Sequence, residues 1–210
     1  MTTVRISSVE EPFRSDRSLA AEAMRLLSRA EFVGCLPAAP IVSLGVESIR
    51  AVFECMKGAA LPGGYLAIMD ASDSTLDRNH WKVALAALND QLEMSPLPKG
   101  EWRPALESLG EELLADLLGV SVSSVRRYSA GDRATPQAVA ERLHFVALLL
   151  ADLAGSYNEY GIRRWFTRPR VSLDGRRPSE ILGSDFDPEG PDARELQALA
   201  ARLTGAGSAA

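Results

Sequence analysis

Residues 113–128 read LLADLLGVSVSSVRRY, a stretch with the pattern of two short helices joined by a tight turn. Ala115 gives the first helix a small residue where the second crosses it, and Gly119 supplies the turn. Val125 is the apolar residue with which the second helix packs against the first, and Ser121 is of a type that caps helix N-termini. The stretch therefore predicts a helix-turn-helix.

The second helix of this motif has two alternative interpretations. In DNA-binding proteins it enters the major groove, and here it would present Ser123, Ser124, Arg126 and Arg127 to bases and phosphates. Against this, residues 101–157 carry eight acids and five bases, a net charge of −3 that is poor for a free-standing DNA binder. A DNA-binding motif and a plain scaffold of crossed helices both stay open.

A long apolar helix is expected after the motif. Thr135 is predicted to cap it, with Pro136 at the first helical position. Apolar residues then recur at spacings of three and four, at Val139, Leu143, Val146, Leu150 and Leu153. The pattern is typical of a core helix, and the apolar excess around Phe145 leaves room for a subunit interface.

The best candidate for a domain boundary is the stretch 96–100, PLPKG, because two prolines and a glycine oppose regular backbone hydrogen bonding. Before it, helical spacing is found over 18–30, 49–56 and 81–92, with Ser18 as the expected first cap. A turn is predicted at 62–64, and strand-length apolar runs are found at 41–44 and 65–69.

These patterns predict a mainly-α protein in three parts. Residues 1–95 form an N-terminal helical or α/β extension of unknown role, residues 101–157 hold the helix-turn-helix and the long core helix, and residues 158–206 form a small helical C-terminal unit.

The C-terminal segment 160–182 reads YGIRRWFTRPRVSLDGRRPSEIL and combines six arginines with Trp165 and Phe166. Asp174 and Gly175 are turn-forming residues and predict a tight turn, and Pro178 predicts the start of a helix. Guanidinium and indole groups suit phosphates, stacked bases or an acidic protein face. A solvated helix face with Trp165 as its core anchor explains the same residues without a ligand.

This segment resembles the C-terminal signature of the Xre/MbcA/ParS-type antitoxins, a tryptophan-containing helix followed by a proline, a leucine, a Gly-Arg-x-Pro turn and a short helix that ends in leucine. The matching positions here are Trp165, Pro169, Leu173, Gly175, Arg176, Pro178 and Leu182. The helix-turn-helix stretch is also similar to the one upstream in that family, so the resemblance covers roughly residues 101–204. Residues 1–95 depart from the pattern, since minimal members lack such an extension.

The resemblance implies the antitoxin of a type II toxin–antitoxin system, which binds a RES-domain, NAD-consuming toxin and occludes its active site. It places the toxin contacts at Arg168, Arg170, Arg176, Arg177 and Arg194. It makes Trp165, Gly175 and Pro178 the structural anchors of the unit. The implied partners are the toxin, in a hetero-oligomer with or without a homodimer, and the chain's own promoter DNA. The alternative is a stand-alone helix-turn-helix transcription regulator.

Other functions find little support in the sequence. The net charge of −5 argues against a protein that coats nucleic acid through a bulk positive field, and no apolar run approaches the roughly 20 residues of a membrane span. Cys35 and Cys55 form no CxxC pair, which favours a reducing cytoplasm and two small buried apolar residues.

Nor does a catalytic or metal motif emerge. His80 and His144 stand alone, and His144 is expected to be a satisfied core histidine. The acidic stretch 185–192 lacks the spacing of a calcium-binding EF-hand loop and is expected to be solvated. We therefore expect a binding protein without a cofactor rather than an enzyme.

Overall fold

The computed structural model describes residues 4–59, 77–183 and 186–204. Across these residues it has ten α-helices and one two-stranded sheet, so the expected mainly-α fold is confirmed, and of the two alternatives for the N-terminal part the α/β one is found. The turn expected at 62–64 and the strand expected at 65–69 lie outside the described residues. No helix in the described part combines the length and the hydropathy needed to cross a bilayer.

The chain divides into two compact units. The first consists of Met1–Glu31 and Cys35–Ser95, and the second of Phe32–Gly34 and Pro96–Ala210.

The first unit holds the sheet, whose two strands run parallel. β1 is Val4–Val9 and β2 is Ile41–Leu44, with Val4 opposite Ile41 and Val9 opposite Leu44. The strand β2 lies where the apolar run predicts it. The sequence pattern does not predict β1, because VRISSV carries an arginine and two serines and only its ends and centre are partly buried.

Three helices pack in this part of the chain: α1 (Arg17–Phe32), α2 (Val46–Gly58) and α3 (Arg78–Glu93). They lie where the apolar spacing predicts helices. The start of α1 differs by two residues from the expectation, since the carboxylate of Asp16, not Ser18, accepts the backbone N–H groups of Ser18 and Leu19 at 2.9 and 3.2 Å. In the core, Phe13 meets Trp81 edge to face, with ring centroids 5.3 Å apart.

The described residues of the second unit form helices and no strand. Its helices are α4 (Pro98–Leu109), α5 (Glu111–Leu118), α6 (Val122–Ser129), α7 (Gln137–Ala154), α8 (Glu159–Thr167), α9 (Pro178–Ile181) and α10 (Pro191–Ala201). Two 3-10 turns, Val171–Leu173 and Arg202–Thr204, follow α8 and α10.

One hydrophobic core serves this whole unit. Leu114 of α5, Val146 of α7, Trp165 of α8 and Leu196 of α10 are all buried in the same cluster. The helix-turn-helix and the C-terminal segment are therefore held by shared packing, and a change that unfolds one is expected to disturb the other.

One helix is not predicted and one helix start differs from the expected one. A break is expected over 96–100, but the helix α4 begins inside it at Pro98, whose missing N–H costs nothing at the first helical position. Pro136 is the N-cap of α7 rather than its first helical residue. Thr135 does not cap this helix; its hydroxyl accepts the indole N–H of Trp102 at 3.0 Å.

The long helix α7 forms the centre of the unit. Every residue from 143 to 153 is buried, and Phe145 packs on Phe186 with ring centroids 4.8 Å apart. The apolar excess around Phe145 is therefore used inside the chain and leaves no apolar face over these residues for a second subunit.

Candidate functional site

The helix-turn-helix is built by local capping and one buried contact. Only residues 119–121 separate α5 from α6, and Gly119 adopts the left-handed conformation, with φ of 64°, that ends a helix without steric cost. The hydroxyl of Ser121 accepts the backbone N–H of Ser124 at 3.2 Å, which starts α6. Val125 is fully buried and Ala115 nearly so, as the two-helix pattern requires.

The residues predicted to contact DNA differ in whether their side chains are already engaged within the chain. Arg126 is exposed but donates two hydrogen bonds, of 2.9 and 2.6 Å, to one carboxylate oxygen of Glu111 in α5. This bond raises the pKa of Arg126 and lowers that of Glu111. Sequence spacing does not indicate this pair, because the two residues lie 15 positions apart in different helices.

Arg127 and Ser123 form the more accessible part of α6. Arg127 is exposed, donates a long hydrogen bond of 3.4 Å to the carbonyl of Ser123 and forms no ion pair with a described residue. Ser123 is exposed, whereas Ser124 is half-buried, with its hydroxyl 2.9 Å from that of Ser121. The motif thus offers one guanidinium group free of carboxylates rather than two.

The C-terminal signature begins with α8. Asn158 caps it by accepting the backbone N–H of Gly161 at 2.9 Å. Trp165 is 1% exposed and meets the fully buried Phe166 edge to face at 5.0 Å. The guanidinium of Arg170 lies 5.4 Å from the centroid of the Trp165 ring and donates to the Trp165 carbonyl at 3.4 Å. Arg170, predicted to contact a partner, therefore packs on the tryptophan instead of standing free.

A closed turn follows α8. The backbone N–H of Arg170 donates to the carbonyl of Arg176 at 3.0 Å, and the N–H of Gly175 donates to the carbonyl of Arg170 at 2.9 Å. Asp174 and Gly175 both have positive φ, 54° and 81°, which reverses the chain in the space of two residues. Leu173 anchors the turn to the hydrophobic core, in which its side chain is only 1% exposed.

The two arginines after the turn are occupied within the chain. Arg176 makes a two-pronged pair with Asp192, at 3.3 and 3.4 Å, and this hydrogen bonding raises the pKa of Arg176. Arg177 precedes the buried Pro178 at the start of α9, and its backbone N–H donates to Glu180 at 2.8 Å while its side chain lies 3.6 Å from the same carboxylate.

Arg168 and Arg194 complete the set of predicted toxin contacts. Both are exposed, and neither forms an ion pair with a described residue. Of the five arginines, these two are presented outward, one is stacked on Trp165, and two hold the turn and α9 in place.

A cleft of about 450 Å³ lies beside Arg176, between α9 and the start of α10. Its lining includes the carboxylates of Glu180, Asp187 and Asp192 as well as Arg176. The cleft is thus acidic, in contrast to the basic surface that the arginine count predicts for this segment.

The buried histidine and the two cysteines lie in packed parts of the described residues. His144 is buried with its Nδ1 2.6 Å from Glu101 Oε1, so it is a satisfied core histidine as expected. Cys35 and Cys55 are free thiols, and burial together with a hydrogen bond from Cys55 raises the pKa of Cys35 and keeps it protonated. In the described residues, no group of three or more histidine, cysteine or acidic side chains is placed to hold a metal ion.

The sequence patterns did not predict the exposure of one apolar residue, Val171. Val171, the first residue of the 3-10 turn, is 98% exposed and directly follows Arg170 in sequence. The only signal was an apolar residue in a turn segment with no helical or strand period, which does not distinguish a buried from an exposed position.

In comparisons with known proteins, no family model, no curated protein and no solved structure matches this chain.

Proposed function

We propose that this chain is a cytoplasmic antitoxin that binds a RES-domain, NAD-consuming toxin and neutralises it by covering the toxin's active site. The observation that carries the proposal is that the antitoxin-like signature forms one closed unit. Trp165, Leu173 and Leu182 share a single core, while Arg168 and Val171 are exposed. A binding epitope on a rigid support is what a neutralising protein needs.

The proposed mechanism is occlusion and requires no cofactor. The turn of residues 170–176 is closed by backbone hydrogen bonds, so little conformational entropy is lost when it docks. The exposed guanidinium of Arg168, just before the turn, suits an acidic, nucleotide-shaped cleft on the partner. Arg194, exposed on α10, supplies a second guanidinium without an ion pair to a described residue.

The test is co-expression with the RES-domain proteins encoded in the same genome, beginning with any neighbour of this gene. We expect the toxin alone to arrest growth and lower cellular NAD, and the full chain to restore both and to co-purify with the toxin. A toxin that remains lethal beside abundant, folded chain and does not co-purify would contradict the proposal.

A second candidate function, promoter binding as an autoregulator or stand-alone regulator, is favoured by the exposed face of α6. Arg127 carries this hypothesis, since Arg126 is engaged by Glu111. We expect Arg127→Ala to weaken binding to the gene's own upstream DNA by roughly tenfold, since a guanidinium contact to a base or phosphate contributes about 1–3 kcal/mol.

The matched control is Arg103→Ala, which removes an exposed arginine of α4 without touching α6. Fluorescence anisotropy with labelled promoter DNA at two salt concentrations measures both variants. Equal affinities for Arg127→Ala and Arg103→Ala would exclude α6 as the recognition helix.

A further inference from the structure

Val171 is the most exposed large apolar side chain in the described residues. At 98% it exceeds Met94 at 79% and Tyr160 at 65%. A single exposed apolar residue is ordinary on a protein surface. Its position and its support, rather than its exposure alone, make Val171 unusual.

The support under Val171 is rigid. The neighbouring residue Arg170 is held by its backbone bonds to Arg176 and Gly175 and by its stacking on Trp165. Two residues further on, Leu173 is buried and donates its backbone N–H to the carbonyl of Arg170 at 3.0 Å. The valine is therefore held at the tip of a closed turn, and docking it costs little conformational entropy.

The charge around the tip is mostly positive. Residues 168–177 contain four arginines and one acid, Asp174. Arg176 and Arg177 are neutralised by Asp192 and Glu180, whereas Arg168 has no carboxylate partner in the described residues. An apolar centre with a polar rim, here including the cation of Arg168, is the usual arrangement of an interface anchor.

We propose that Val171 is the apolar anchor of the toxin interface and enters an apolar pocket bordered by carboxylates on the RES-domain protein. This inference rests on the proposed function. A second copy of this chain is a poor occupant, because a two-fold contact through this turn would bring Arg168 toward its own symmetry mate and like charges repel.

The experiment measures the dissociation constant of the full chain with the purified RES-domain protein. Val171→Ala is expected to weaken binding about tenfold and Val171→Asp about a hundredfold or more, because the first loses the apolar contact and the second buries an unpaired charge. Val171→Ile should stay within about threefold of the wild type, since it keeps the apolar contact.

Val83→Asp is the matched control, since Val83 is a 56% exposed valine on α3. It should change the affinity by less than about twofold. Because both valines are exposed, all variants should keep the wild-type circular dichroism and melting temperature, which separates loss of contact from loss of fold.

Charge at the rim is tested separately with Arg168→Gln. Rim charges act mainly on association, so we expect its association rate to fall about three- to tenfold at low salt and to approach the wild-type rate at high salt.

The outcomes separate the inference from the function on which it rests. If the wild type binds the toxin and Val171→Asp binds equally well, the anchor is overturned and the antitoxin function stands. If the wild type binds no RES-domain protein, both are overturned. If the wild type self-associates in sedimentation and Val171→Asp does not, the occupant is a second copy and the proposed partner is wrong.

Discussion

Glu101 is a buried carboxylate of the second unit that depends on hydrogen bonds from its neighbours. Its side chain is fully buried, and Oε1 accepts the backbone N–H of Leu97 at 2.9 Å and lies 2.6 Å from Nδ1 of His144. One carboxylate oxygen thus joins the start of α4 to the middle of α7. A buried polar group is costly when its partner is removed, because the remaining atoms lose hydrogen bonds without regaining water.

We expect Glu101→Ala to lower the free energy of unfolding of the second unit by about 3–5 kcal/mol. Urea unfolding followed by tryptophan fluorescence in a Trp81→Phe background measures it, because Trp102 and Trp165 then report on this unit alone. The exposed Arg103→Ala on the same helix should cost less than about 0.5 kcal/mol. Equal costs for both variants would show that the buried carboxylate contributes little.

Arg170 and Arg168 test whether the arginines of the signature have different roles. Arg170 covers the Trp165 ring, so Arg170→Ala should lower the free energy of unfolding by about 1–2 kcal/mol through lost packing and cation–π contact. Arg168→Ala removes an exposed side chain and should leave stability within about 0.5 kcal/mol. The same fluorescence assay measures both, and a stability loss at Arg168 that matched the loss at Arg170 would contradict this division.

At the scale of the elements, the turn after α8 depends on Gly175. Its φ is 81°, and a Cβ added there meets no atom within 4 Å, so the cost of Gly175→Ala is conformational and not steric. We expect a loss of about 1 kcal/mol in the free energy of unfolding.

Gly58→Ala is the matched comparison, since Gly58 also has open space around its Cβ but ends α2 without a positive φ. Thermal melts should show no loss of stability at Gly58, because alanine is the better helix former. A Gly175→Ala variant as stable as the wild type would mean that the turn does not require the left-handed conformation.

The elements also show how far the sequence predicts the structure. The helix-turn-helix follows from local signals, the glycine at 119 and the serine cap at 121, and α7 follows from a long apolar period. The strand β1 does not, because its stability comes from pairing with β2 more than thirty residues away. Caps at Asp16 and Pro136 shift by a residue or two because nearby polar groups compete for them.

The residue types of the candidate site could be predicted from the sequence, but the ion pairs that its arginines form could not. The arginines, the tryptophan and the turn glycine are visible in the signature itself. The pair of Arg126 with Glu111 joins two helices across 15 residues, and the pair of Arg176 with Asp192 joins the turn to α10 across 16 residues. Sequence spacing cannot distinguish such an occupied guanidinium from an exposed one like that of Arg168.

At the scale of the whole molecule, the proposed antitoxin role concerns the second unit, where the helix-turn-helix and the C-terminal signature share one core. The first unit carries a parallel pair of strands and three helices that the antitoxin resemblance does not cover. The molecule therefore joins a candidate binding unit to a separately packed α/β unit.

The most direct measurement of the central claim is NAD consumption by the purified RES-domain toxin, titrated with the full chain. Occlusion predicts that consumption falls linearly to a residual level at a fixed stoichiometric ratio, and that excess NAD slows the onset of inhibition because both compete for one cleft. We expect that a much higher concentration of the Val171→Asp variant is needed to reach the same inhibition of NAD consumption. NAD consumption that is unchanged by a large excess of folded wild-type chain would contradict the account.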